Sequence, residues 1–133
     1  MKHVLLTTIP RIVLGLIFLI GAIDGFAYIF TGDHLIHPPT SDSGAAFQAA
    51  LQAVGFFWPL MKIVQLIGAL CLLTNRAPAL GLALLSPIMV VIVLFHLVLN
   101  PSGIPVAIIL VVTGGLLAYQ YRGHFARLVS TVQ

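Results

Sequence analysis

The stretch PALGLALLSPIMVVIVLFHLVL, residues 78–99, contains no Asp, Glu, Lys or Arg. A helix needs about 20 consecutive apolar residues to cross a bilayer, so this run is read as a membrane span. Pro78 suits its first turn, where N–H groups lack intrahelical partners and the ring presets a helical φ. Pro87, following Ser86 in the middle of the run, predicts a kink with the freed carbonyl satisfied locally. One ionisable side chain, His96, stands near the far end, and its purpose has to be sought in the rest of the chain.

Composition extends the reading outward. Of 133 residues, 60% are hydrophobic and 7% charged, and the mean hydropathy is +1.15. Soluble domains are roughly 45–50% apolar and about 25% charged. Three further apolar runs, each opening on proline, lie at about 10–30, 59–74 and 105–121. The second is short for a bilayer, but SGAAFQAALQAVGFFW (43–58) precedes it. There Phe47, Leu51, Val54 and Trp58 recur at helical spacing while Gln48 and Gln52 fall on another face, and Phe56, Phe57 and Trp58 form an aromatic cluster suited to headgroup depth. The expected fold is an all-α integral membrane four-helix bundle, one domain over 1–133. An additional amphipathic outer-face helix lies between spans one and two, within a loop-and-interface segment 31–58.

Charge gives the orientation. Lys2 and Arg11 precede span one, Arg76 joins spans two and three, and Arg122 and Arg127 follow span four, while the long first loop and NPSGIP (100–105) carry no Lys or Arg. The positive-inside rule then puts both termini in the cytoplasm of a multi-pass protein of the inner (plasma) membrane. The formal charge of +3, from six Lys/Arg against three Asp and no Glu, reflects that orientation. Without a basic stripe, no nucleic-acid partner is expected. Cleavage as a signal peptide is disfavoured, because Pro10 and Arg11 interrupt the start, the apolar run is too long and GAIDG is not a small-x-small site. Cys71, the one cysteine, excludes an intrachain disulfide and a multi-cysteine zinc or iron–sulfur site.

Depth now sorts the polar residues. At 1.5 Å per residue, Asp24 lies roughly 9 Å below the outer end of span one, Lys62 and Gln65 about 5 and 9 Å below the start of span two, and His96 about 5 Å below the end of span three. Lys62 and Gln65, three apart, share a face. Charged groups in a span cost about 2.5–3.5 kcal/mol each and normally face the bundle interior in pairs. A polar pocket opening outward is therefore expected, with Asp24 and Lys62 as the natural ion pair, Gln65 and His96 available to a ligand, and Tyr28, one turn from Asp24, at its border. Each residue also has a structural reading: Lys62 snorkelling to the interface, His96 capping a neighbouring helix, Tyr28 in the aromatic belt.

Other signals are weaker. His34 and His37 in HLIH offer two nitrogens for a metal, yet Pro38-Pro39 follows and no nearby Cys or Glu completes a set, so no metal is expected. Gly21 and Gly25 form a small-xxx-small face in span one, with Gly15 beside it and Gly114-Gly115 in span four, which permits close helix approach or a dimer. There is no GxSxG, Walker A or HExxH motif.

In their order, RIVLGLIFLIGAIDGF (11–26), then PLMKIVQLIGALCLLTNRAPALGLALLSPIMVVIVLFHLVLNPSG (59–103), then a last apolar run and YRGHF (121–125) resemble the DoxX family of small four-helix membrane proteins. The likeness is greatest to the branch in which a proline interrupts span three and Phe-His ends it, and it covers nearly the whole chain. Arg11, Gly15, Phe18, Gly21, Gly68 and Phe95-His96 match the family pattern. Gln65 stands where the family usually has glutamate, so no titrating carrier is available there, and Asp24 stands where many members have lysine or another polar residue. The resemblance implies a subunit linked to quinone oxidoreduction, some members forming a thiosulfate:quinone oxidoreductase. A quinone headgroup is then the candidate ligand, with His96 bonding a carbonyl oxygen, Asp24 relaying a proton and the cofactor supplying the redox chemistry. The alternative is a non-catalytic accessory or assembly protein whose outer helix docks a membrane or periplasmic partner, or which pairs with a second copy. A solute or proton pathway would need polar residues through the other leaflet, where LIGALCLL (66–73) is apolar. The bilayer is the expected partner in every case.

Overall fold

A computed structural model describes residues 1–131. Those residues form helices and connecting turns, with no strand among them. A π-helical turn, Val4–Thr8, leads into α1 (Ile9–Thr31). Then come α2 (Asp42–Ala53), α3 (Phe57–Leu73), and α4 (Pro78–Leu94) with a π-helical extension Phe95–Leu99. A 3₁₀ turn, Pro101–Gly103, opens α5 (Ile104–Gln120), and a short α6 (Arg122–Leu128) follows. Val4–Thr31, Pro78–Leu99 and Pro101–Gln120 are each long and apolar enough to cross a membrane. The pair α2 and α3, bent by 97°, passes the same test only when taken together. The chain thus has three candidate membrane-spanning helices, or four if the bent pair counts as one, as a multi-pass membrane protein would.

Contacts run from α1 to α3, α3 to α4, α4 to α5 and α5 back to α1, with α2 lying against α3 and the Phe95–Leu99 turn. Leu14, Leu72, Leu85, Leu110 and Leu117 are completely enclosed. Glycine sets the spacing: a Cβ at Gly81 would stand 2.8 Å from the Gly68 carbonyl oxygen, and one at Gly68 would stand 2.6 Å from Leu85 Cγ. Such close backbone approach is how helices associate in lipid, where burying apolar surface gives no net drive. The outward side chains, Ile20, Ile63, Leu80, Val90, Ile108 and Val111 among them, are large and apolar. In water so much exposed hydrocarbon would drive aggregation, whereas against acyl chains it has no such effect.

At the end carrying the chain termini, the Arg11 guanidinium donates to the carbonyls of Leu72 and Leu73. A cation there satisfies the last acceptors of α3 and opposes its negative dipole end. The turn from α3 to α4 is tight, with Asn75 and Ala77 both left-handed at φ 57° and 52°. At the opposite end, Gly32, also left-handed at φ 80°, closes α1 by donating its N–H to Tyr28 O at 2.8 Å.

One sequence expectation is corrected at this level. The amphipathic helix does not continue to Trp58, because Val54 turns extended at φ −82°, ψ 109° and the chain bends into α3. Trp58 and Phe57 consequently belong to α3, and Trp58 is buried. The third span remains a continuous helix through Pro87 to Leu94, Ser86 Oγ donating to Leu82 O at 2.6 Å, and changes to π-helical pitch only at Phe95.

Candidate functional site

The long connection 32–41 folds back over the end formed by α1, α3 and α4, and its polar groups set the first part of the site. Asp24 is about two turns from the end of α1. Its Oδ1 accepts the N–H groups of Leu35 and Ile36 at 2.7 and 3.0 Å, and its Oδ2 meets His34 Nδ1 at 2.7 Å. Gln52 Nε2 lies 3.0 Å from His34 Nε2. With the amide nitrogen donating to Nε2, the imidazole carries its proton on Nδ1 and gives that hydrogen bond to Asp24. A chain Gln52 to His34 to Asp24 thereby links α2, the loop and α1. Tyr28 stacks on the His34 ring at 4.6 Å, and Trp58 meets both rings edge-on at 6.1 Å.

The expected Asp24–Lys62 ion pair is not formed. Asp24 takes its ionic partner from the loop, since the two backbone amides and His34 occupy both carboxylate oxygens, and no carboxylate lies within 4.0 Å of Lys62 among the described residues. Lys62 bonds within its own helix. Its Nζ donates to Gln65 Oε1 at 3.2 Å and sits 4.5 Å from the centre of the Trp58 ring, a cation–π contact. Lys62 is 8% exposed, Gln65 3% and Trp58 6%. The lysine stem lies in a notch left by Gly25, where any Cβ would overlap it, and Gln65 Oε1 lies 3.6 Å from where a Cβ of Gly21 would be. The small-residue face of α1 therefore makes room for two polar side chains of α3.

Beyond these groups opens a cavity of about 710 Å³, within the roughly 300–1,000 Å³ usual for small-ligand sites. Trp58, Met61, Lys62 and Gln65 from α3, Phe47, Gln48 and Leu51 from α2, Pro87, Ile88 and Ile92 from α4, and Phe95 and His96 from the π-helical turn are among its walls. Lys62, Gln65 and His96 thus share one space, while Asp24 and Tyr28 do not line it. His96 packs edge-on to Phe95 and against Gly103. Its Nδ1 is buried without a hydrogen-bond partner, as is Trp58 Nε1. A second cavity of about 780 Å³ between α4 and α5 has no ionisable lining, so the chemistry concentrates in the first.

The mouth is tied by side chains that the sequence did not single out. Asn100, 5% exposed, accepts Ser41 N–H at 3.1 Å and donates to Pro39 O at 3.3 Å. Ser41 caps α2 by accepting Gly44 N–H at 3.1 Å and donates to Leu99 O. The HLIH pair separates: His34 joins Asp24, whereas His37 bonds the exposed Asp33 at 3.1 Å. That bond holds the Asp33 carboxyl below the usual carboxylate range. Among the described residues no three His, Cys, Asp or Glu cluster in a way that would hold a metal ion. Compared with protein-family models, curated proteins and solved structures, the chain matches none.

Proposed function

We propose that this chain is a DoxX-like four-helix bundle of the inner membrane, termini cytoplasmic, which binds a lipophilic small molecule in the cavity between α2, α3 and α4. The observation that carries the reading is Lys62. A buried cation with a single hydrogen-bonded partner stands in the wall of a mostly apolar space of about 710 Å³, which is also lined by Trp58 and His96, each with a buried ring nitrogen that has no partner. Intramembrane ionisable residues facing a cavity mark ligand or ion paths, and buried polar groups without partners cost free energy unless something completes them. A headgroup rich in hydrogen-bond acceptors on an apolar tail meets both needs, and a quinone, the class implied by the family resemblance, is of that kind. His96 and Lys62 would hold its oxygens. Asp24 is set aside as a proton relay, since its carboxylate is engaged by His34 and two loop amides outside the cavity.

The chain contributes binding and positioning, the redox chemistry belonging to the quinone, so the activity is that of a subunit. Mass spectrometry of organic extracts from purified protein tests this. A stoichiometric quinone in the wild type, lost from a folded His96→Ala variant, is the expected result. Background lipid alone in both would remove the quinone assignment.

A further inference from the structure

The geometry points to a charge on the ligand's head: we propose that the cavity takes a single-chain lipophilic carboxylate, its oxygens at Lys62 and Trp58 Nε1 and its chain along the apolar wall formed by Phe47, Leu51, Ile88 and Ile92. The proposal rests on the reading of this cavity as a ligand site; a carboxylate and a quinone would both meet Lys62 and are alternative occupants of it. Lys62 has three N–H donors and gives one to Gln65 Oε1. The Trp58 face answers part of the charge, but a π-face is no substitute for an anion in a low-dielectric site. Asp24, the one carboxylate whose charge reaches Lys62, stands beyond 4.0 Å from it. It is bonded to His34, Leu35 and Ile36, and none of the residues lining the cavity is acidic.

The donors match a carboxylate in number as well as in sign. A carboxylate carries one negative charge and two acceptor oxygens; Lys62 and Trp58, one turn apart in the α3 wall of the cavity, carry an ammonium and a buried indole N–H without a partner. The lysine is placed there by construction, its stem seated in the Gly25 notch so that it does not snorkel along α1 to the surface. Apart from Gln48, Gln65 and His96, the remaining wall is apolar and aromatic, suited to a hydrocarbon chain.

The chain has one tryptophan and it lines this cavity, so indole fluorescence reports on this cavity alone. Purified full-length protein in non-ionic detergent is titrated with dibromostearic acid at a pH where the acid is ionised, and separately with its methyl ester. Bromine quenches indole at contact range, and the two probes share a chain. Saturable quenching by the acid about tenfold or more tighter than by the ester, with the preference lost in Lys62→Met, is expected from removing one partner of a buried charge pair. Equal affinities for acid and ester in the wild type overturn the anionic head and leave the cavity as a lipophile site. A preference for the acid that survives in Lys62→Met also overturns the assignment, because another cation would then be responsible. Saturable quenching by neither probe overturns the ligand-site reading itself. The acid–ester comparison needs no variant, so it stands even if Lys62→Met fails to fold.

Discussion

The Lys62 stem occupies the space that a side chain at position 25 would fill. Gly25→Ala is therefore expected to destabilise the protein by about 1–3 kcal/mol, the usual range for overpacking, and to shift Trp58 emission as the ammonium leaves the ring. Thermal unfolding followed by fluorescence checks both, with Gly115→Ala as the comparison. Nothing lies within 4 Å of a Cβ at Gly115, and removing a helical glycine there should be neutral or favourable by about 0.5–1 kcal/mol. Asp24 gives a second prediction. Because its partner is His34, Asp24→Asn and His34→Ala should be strongly non-additive, with a coupling of about 0.5–3 kcal/mol, and Asp24→Asn with Lys62→Met should couple less. Stability measurements on the two double-mutant cycles decide it; a larger coupling to Lys62 would return the ion pair to the pair first expected. That partner exchange shows where sequence reasoning stops at this scale. Depth along a helix follows from residue counting, so Lys62, Gln65 and His96 fall at similar levels in the sequence, and they line one cavity in the structure. Which group Asp24 faces depends on a ten-residue loop folding back, and HLIH invites a metal reading that hides His34 as the partner.

Between residues and the whole molecule, the elements carry the strain and the clamps. Ala77 holds a left-handed conformation, which costs an L-residue roughly 1–2 kcal/mol. Ala77→Gly should raise stability by about 0.5–1 kcal/mol once glycine's own entropy loss is deducted, as read from the thermal midpoint; a lowered midpoint would contradict the strain. The helices themselves were legible because long apolar runs bounded by proline admit few other readings, and the observed ends of α1, α3, α4 with its extension, and α5 fall within a residue or two of those expected, although α3 is long and apolar enough to cross a membrane only together with α2. The break after Ala53 was not. Val54-Gly55-Phe56 continues the apolar spacing, whereas the chain bends by 97° there and Trp58 beyond the bend packs against Tyr28 and His34, contacts between residues far apart in sequence. The clasp of Asn100 on Ser41 and Pro39 was equally hidden, since it joins residues some sixty positions apart.

For the whole molecule, the arrangement is polarised. The end with the termini holds Arg11 over the last carbonyls of α3, the middle is packed apolar side chains and glycine, and the end with the long loop holds the polar groups and the cavity. α2 and the loop lie over this last end, and the cavity beside them is partly open to the surroundings. The most direct test of the account is photolabelling with a single-chain lipophile that carries a diazirine, followed by peptide mapping of the adducts. The account predicts saturable labelling concentrated on cavity residues such as Phe47, Leu51, Met61 and Ile92, reduced when excess unlabelled lipophile is added. Labelling spread over outward-facing positions such as Ile20, Val90 and Ile108, with no competition, would contradict it and leave the cavity without a ligand.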